Sequence, residues 1–362
     1  MNNEQTTLDL PGKGTTTIKA YGAKASDADL NSTEIERRKP TADDVHIKIM
    51  YCGVCHSDIH QVKNDWGNSV YPVVPGHEIV GEVTAVGNNV DHFKKGDLVG
   101  VGCLVDSCQT CDSCKENLEQ YCENGATMTY NSKNKHLDGR HTFGGYSQSI
   151  VVDKKFVLRV PENLDTKAVA PLLCAGITTF SPLNTWNIQK GDKVGVIGLG
   201  GLGHMGVKFA HAMGAHTVMI TTSPDKAEDA KELGAYEVLI SKDKKAMKEQ
   251  TNSFDFLLNT VPVGHDTSPY IKLLKRDGTM VMVGAIEPIE LNGAGLIMGR
   301  KRIAGSMIGG IKETQEMLDF CGEHNIVSDI EMIQMSEINN AFERVVEGDV
   351  KYRFVIDINS FN

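Results

Sequence analysis

Four cysteines fall within one short stretch of the chain, Cys108, Cys111, Cys114 and Cys122, in the run DSCQTCDSCKENLEQYC. The spacing is C-x2-C-x2-C-x7-C. Four thiolates this close in sequence can wrap one tetrahedral ion without help from the rest of the fold, and zinc takes that arrangement in structural sites with all four positions filled. The iron–sulfur run of comparable density is tighter and ends in Cys-Pro. Here Glu123 follows the last cysteine, so the spacing predicts a structural zinc lobe. A closed lobe leaves no position for chemistry, which directs attention to a second metal elsewhere.

Composition narrows the class. The chain has 362 residues, 40% hydrophobic and 23% charged, enough for two domains with cores of their own. The formal net charge of −10 leaves no basic surplus to neutralise phosphates, so no nucleic acid is expected as a partner. No apolar run reaches the length of a bilayer span, and the opening MNNEQTTLDL lacks a basic-then-apolar signal pattern, so no membrane association and a cytoplasmic location are expected. Nine cysteines in a chain of this length do not read as a disulfide scaffold. The first fifteen or so residues are polar and are expected to be loosely held.

The pattern changes twice along the chain. Up to about Pro161, short apolar runs separated by Gly and Asn (VHIKIM, EIVGEVTAV, DLVGVGCLV, YSQSIVV) read as strands of a mostly-β region. From about Ala168 to Gly310, near-continuous apolar runs (KVGVIG, TVMIT, EVLI, FDFLLNTV, TMVMVG) alternate with helical stretches such as MGVKFAHAMG. Such runs mark strands buried on both faces of a parallel sheet, giving a doubly wound α/β domain. Two helices and the strand RFVID close the chain and are expected to return to the first region. The expected boundaries are residues 1–173 and 174–312, with 313–362 completing the first domain.

Gly198-Leu199-Gly200-Gly201-Leu202-Gly203 follows an apolar strand and opens a helix, the context that makes this glycine pattern a dinucleotide-binding turn. Gly198 is read as the tight turn, Gly200, beside Gly201, as the close approach to the pyrophosphate, and Gly203 as the helix–strand contact. His204 is expected to face outward. An acid commonly bonds the ribose about 20 residues later. Thr222 stands in that place, while Asp225 reads as the start of the next helix. Hydroxyls at Thr222 and Ser223, with Lys226 behind them, would accept a 2′-phosphate, so NADP(H) is expected over NAD(H).

Further metal candidates lie in YCGVCHSDIH, VPGHEIVGEV and PLLCAGIT. Catalytic zinc takes three protein ligands and an exchangeable fourth position, and two thiolates with one imidazole is a known set. Cys55, His77 and Cys174 fit it, with Glu78 adjacent. Cys52 forms a C-x2-C with Cys55, but odd spacing on an extended segment points the two to opposite faces. Cys103 is not a needed ligand, although it could approach a substrate channel. Cys321 reads as helix core. Trp66 is read as either pocket lining or packing, and Met307 and Ile308 as either pocket closure or core.

Together CGVCHSDIH, PVVPGHEIVG, the cysteine lobe, GGYSQ, PLLCAGIT, GLGGLGHMG and KYRFVID make the chain resemble the zinc-dependent medium-chain alcohol dehydrogenases, in the branch of cinnamyl alcohol dehydrogenases and NADPH-dependent aldehyde reductases. The resemblance runs from about Ile18 to Asp357. It implies an α/β Rossmann-type doubly wound parallel sheet domain plus a mostly-β GroES-like catalytic domain, and two Zn²⁺ per chain. Cys55, His77 and Cys174 would hold the catalytic ion, with Glu78 beside it and able to replace its water. Asp58 would support His77, Ser57 and His60 would relay the proton, and His56 and Thr178 would lie near NADP(H). The substrate would be a small-molecule aldehyde or alcohol. A homodimer is expected through sheet edges at Leu296–Met298 and Arg302–Ala304. An NAD-linked polyol or secondary-alcohol dehydrogenase and a non-catalytic zinc- and NADPH-binding redox sensor are the alternative readings.

Overall fold

The computed structural model describes residues 14–133, 136, 139–284 and 287–361. The expectation of a loosely held N-terminus falls almost wholly outside them. The chain divides into two compact units, Met1–Cys174 with Gly309–Asn362, and Ala175–Ile308. Cys174, expected to open the second domain, closes the first unit.

The first unit is built on a seven-stranded sheet. Its order is Ile330–Gln334, Arg353–Asp357, Asp44–Gly53, Ile79–Val86, Leu98–Val101 and Leu158–Arg159, with Ser149–Asp153 also pairing with Asp44–Gly53. Along the long central strand Val45, Ile47 and Ile49 are buried while Lys48 is exposed, the alternation of a strand with one face on a core. A register shift between Ile49 and Tyr51 changes the phase, and Cys52 and Gly53 are both buried. The C-terminal strand pairs antiparallel with this end, Val355 opposite Gly53 and Ile356 opposite Cys52. The last segment therefore completes the first unit and brings Arg353 beside its buried centre.

The run DLVGVGCLV does not form one strand. It breaks into Leu98–Val101 and Leu104–Asp106, because at Gly102 the carbonyl oxygen of Leu173 lies 2.8 Å from where a Cβ would stand. The missing side chain lets the segment before Cys174 approach.

The second unit is a six-stranded parallel sheet in the order Glu237–Ile240, His216–Thr221, Lys193–Ile197, Phe254–Asn259, Leu274–Met282, Arg302–Gly305. In chain order this is 3-2-1-4-5-6, the doubly wound arrangement whose ligand crevice opens where the strand order reverses, between the first and fourth strands. Val194, Val196, Val218, Ile220, Leu257 and Met280 are buried, as strands covered on both faces require.

Two expectations are corrected here. His204 does not face outward. It is 0% exposed, since the helix Gly203–Ala212 is covered on a second side by the helix Ala175–Thr185, with Phe180 packed edge-on against Phe209. Leu296–Met298 is not strand. Asn292 accepts from the N–H of Ala294 and caps a short helix, Gly293–Ile297, that ends at Met298. Of the two expected segments only Arg302–Gly305 is strand, at one edge of this sheet, with Glu237–Ile240 at the other.

Candidate metal centres and nucleotide turn

The helix His56–Lys63 is capped by its own machinery. Cys55 is the N-cap residue, and the N–H of Cys55 donates to Oδ2 of Asp58 at 2.9 Å. The same carboxylate does a second job. Its Oδ1 accepts from the N–H of Gly76 and meets Nδ1 of His77, both at 3.0 Å. Asp58 is 0% exposed. With Nδ1 engaged, His77 keeps Nε2 for a ligand, the usual way a carboxylate fixes a ligating imidazole. Gly76 has φ +102°, and a Cβ there would lie 2.7 Å from the Tyr146 ring and 2.8 Å from Cys52 Sγ. Only glycine makes this turn, and the turn delivers His77.

Ligand atoms of Cys55, His77, Glu78 and Cys174 all lie within 4.8 Å of one another, and all four residues are buried. The short 3₁₀ turn Ala170–Leu173 delivers Cys174 to the cluster. Cys52 stays out of it, buried with its Sγ 3.6 Å from the carbonyl of Gly53. Two thiols and one imidazole are a zinc donor set. Glu78 supplies a further sign of fit, because its Oε1 accepts from Arg353 while its buried Oε2 has no hydrogen-bond partner. Burial pushes the Glu78 carboxyl up to about 8, against the pull of Arg353. Burial works most strongly against a charged His77, but Asp58 together with Cys103 and Cys55 outweighs it and holds the ring well above its usual range. Cys55 is held well below the ordinary thiol range, first by the bond from Cys174 and then by Arg353 and His77.

Two participants carry no role in the sequence reading, and a third, Cys103, is read there only as able to approach a substrate channel. Arg353 sits in RFVID, where a charge inside an apolar strand was the available signal. Tyr130 is buried with its ring centroid 5.6 Å from that of His77. Cys103 is buried, its Sγ 3.9 Å from the carbonyl oxygen of Leu173, the residue before Cys174.

Ser57 and His60 stand one turn apart on the half-buried side of their helix, opposite Asp58 and Ile59. Nδ1 of His60 is 2.7 Å from Oδ2 of Asp65. The His56 ring lies 6.0 Å from that of His60, and burial lowers the His56 pKa.

In the lobe, Sγ of Cys108 is 3.9 Å from that of Cys114, and Sγ of Cys111 is 4.0 Å from that of Cys122. Zn–S bonds of about 2.3 Å place tetrahedral thiolates about 3.8 Å apart. The N–H groups of Thr110 and Cys111 point at Cys108 Sγ at 3.5 and 3.3 Å, and with Asn124 they draw its pKa down to about 5. The lobe also reaches the C-terminal return, where the N–H of Ile311 donates to Oε2 of Glu119 at the start of the helix Ile311–His324.

The nucleotide turn behaves as its glycines require. Gly198 has φ +92°, and a Cβ on Gly203 would lie 1.9 Å from the Gly198 carbonyl oxygen. At Gly200 nothing lies within 4 Å of a Cβ position, so the space is open for a phosphate group at the head of the helix Gly203–Ala212. Nζ of Lys226 donates to the carbonyl of Leu199 at 3.0 Å, which sets its cation at this turn. Thr222 is exposed, Ser223 half-buried, and Asp225 lies in the 3₁₀ turn Pro224–Lys226. Thr178 is buried in the helix Ala175–Thr185. Met307 is 46% exposed, so the core reading does not hold for it. Ile308 is half-buried, and Cys321 is helix core at 0% exposure.

A mostly-β unit carrying two cysteine-rich clusters that could each hold a metal ion, with a doubly wound unit carrying a dinucleotide turn, has the make-up of a zinc-binding dehydrogenase. Residues 41–162 match the alcohol dehydrogenase GroES-like domain, and residues 201–323 the zinc-binding dehydrogenase domain. Aldehyde reductase YahK of Escherichia coli is 58% identical over 346 residues, 94% of this chain and 98% of that one. Among solved structures, the cinnamyl alcohol dehydrogenase SbCAD4 of Sorghum bicolor superposes with a TM-score of 0.93 at 45% identity, covering 96% of this chain and 99% of that one. The CAD of Helicobacter pylori, solved with NADP(H), gives 0.88 at 39%, covering 96% and 99%. The chain belongs to the zinc-dependent medium-chain alcohol dehydrogenase family and is an alcohol dehydrogenase and aldehyde reductase by class.

Proposed function

We propose that the chain reduces small aromatic or aliphatic aldehydes with NADPH, using one catalytic zinc and holding a second zinc in the cysteine lobe. The observation that carries this reading is the convergence of Cys55, His77, Glu78 and Cys174 on one point, beside a carboxylate oxygen with no other partner. Zinc supplies Lewis acidity toward the carbonyl oxygen and NADPH supplies the hydride.

The protein's own groups do the rest. Cys55, His77 and Cys174 would hold the ion, with Asp58 fixing His77, while Glu78 would take the exchangeable position when substrate is absent. The proton that completes the alcohol passes from His60 to Ser57 and on to the product oxygen, the imidazole being the group that takes its replacement from water. Gly200 admits the pyrophosphate, and Lys226 with the hydroxyls of Thr222 and Ser223 receives the 2′-phosphate. Among the described residues no helix is long and apolar enough to cross a membrane, and we place the enzyme in the cytoplasm as a homodimer. A panel of aromatic and aliphatic aldehydes, assayed in parallel with NADPH and NADH, tests the assignment. Turnover confined to NADH with polyols would replace it by the polyol dehydrogenase reading.

A further inference from the structure

Trp66 is 39% exposed, yet its ring lies over a site residue. The indole centroid is 5.7 Å from the His60 ring, with the planes tilted by 35°. The loop that carries it is tied back to the helix His56–Lys63. Asn64 ends the helix at φ 60°, and the Asp65 N–H returns to the carbonyl of His60 at 3.0 Å. The Gly67 N–H donates to the carbonyl of Asn64 at 3.0 Å, and the Ser69 N–H to its side chain at 2.9 Å. Gln61 Nε2 donates to Asn68 Oδ1 at 3.0 Å and to Ser69 Oγ at 2.6 Å. Trp66 is thus held between anchors on both sides. Around His60 stand the Asp65 carboxylate on Nδ1, the His56 ring at 6.0 Å and this indole. With Nδ1 occupied, Nε2 is the nitrogen left to exchange a proton.

We infer that Trp66 is a positioning residue for proton exchange at His60, its indole fixing the plane of the imidazole while Asp65 fixes its tautomer. The inference rests on the reading of His60 as the end of the proton relay. A general acid–base group works only when held within hydrogen-bond reach of its partner, and the half-buried His60 depends on such neighbours for its orientation.

The test uses the zinc-loaded enzyme with NADPH and two aldehydes of different size. Trp66→Ala is expected to lower kcat about tenfold, since small misplacements of a catalytic group are costly. It should leave KM for both aldehydes little changed, raise the solvent deuterium isotope effect, and be partly rescued by imidazole buffer. Trp66→Phe, which keeps an aromatic face, should restore most of the rate. A Trp66→Ala enzyme with wild-type isotope effect and no response to imidazole would overturn the inference, whatever happens to KM. His60→Gln separates the two levels. If it neither slows turnover nor creates buffer dependence, the relay reading fails and this inference with it. If it does both and Trp66→Ala does neither, only the role of Trp66 fails. An optical readout stands apart from activity. The chain has two tryptophans, so in Trp186→Phe the emission reports Trp66 alone. It should change with pH through quenching by the protonated imidazole, and the change should vanish when His60→Gln is added. A pH-independent emission would contradict the ring contact.

Discussion

Arg353 donates to one carboxylate oxygen of Glu78 from 275 residues further along the chain, and the other oxygen of Glu78 is left without a partner. The two side chains are 6% and 0% exposed. The pair makes the last strand part of the candidate metal site, because the buried acid needs a buried hydrogen-bond partner.

Arg353→Met should therefore destabilise the protein by about 1–3 kcal/mol, the usual cost of leaving a buried polar group without its partner. Adding Glu78→Gln should recover much of the loss. Denaturant unfolding of the two variants checks this. A single variant as stable as wild type would show that the buried acid does not need this partner.

Asp58 receives the N–H groups of Cys55 and Gly76 and the ring of His77. Asp58→Asn should weaken metal binding at this cluster by about 10- to 100-fold, the usual range for removing a carboxylate behind a ligand histidine. The lobe should keep its ion. Chelator competition, read as two separate release phases, distinguishes the centres.

Cofactor choice should follow Lys226. Lys226→Ala is expected to raise KM for NADPH about tenfold, the equivalent of one charge-assisted hydrogen bond, and to leave KM for NADH nearly unchanged. Thr222→Asp should invert the preference by setting a carboxylate against the 2′-phosphate. Equal effects on the two cofactors would mean that Lys226 serves the turn through Leu199 alone.

The edge strand Arg302–Gly305 is flanked by Ile297 and Met298, 82% and 89% exposed. An apolar edge of this kind is relieved by pairing with a second copy. Light scattering at micromolar protein should give twice the 39.5 kDa chain mass, and Ile297→Asp with Met298→Lys should shift the mass toward one chain. A wild-type mass of one chain rejects the dimer.

Much of this organisation is written locally in the sequence. Continuous apolar runs specified the parallel sheet because strands buried on both faces have no polar side to show. The clustering of the lobe's four thiols is legible because it needs only one loop, and the glycine turn because its backbone constraints are local. What escaped reading depends on tertiary neighbours. His204 looked like a surface helix residue until a second helix covered it. The apolar character of Leu296–Met298 suggests an edge strand, but the cap at Asn292 starts a helix there instead. Arg353 gained meaning only when its strand was placed beside Gly53 and Glu78, a pairing no local pattern encodes.

Zinc content per chain, measured together with aldehyde reduction by NADPH in wild type and Cys174→Ser, tests the central claim most directly. Two zinc ions are predicted in wild type and one in Cys174→Ser, with the variant folded and inactive because the lobe keeps its own four thiolates. One ion or iron in the wild type, or a Cys174→Ser enzyme that still reduces aldehydes, would contradict the assignment of Cys55, His77 and Cys174 as the catalytic centre.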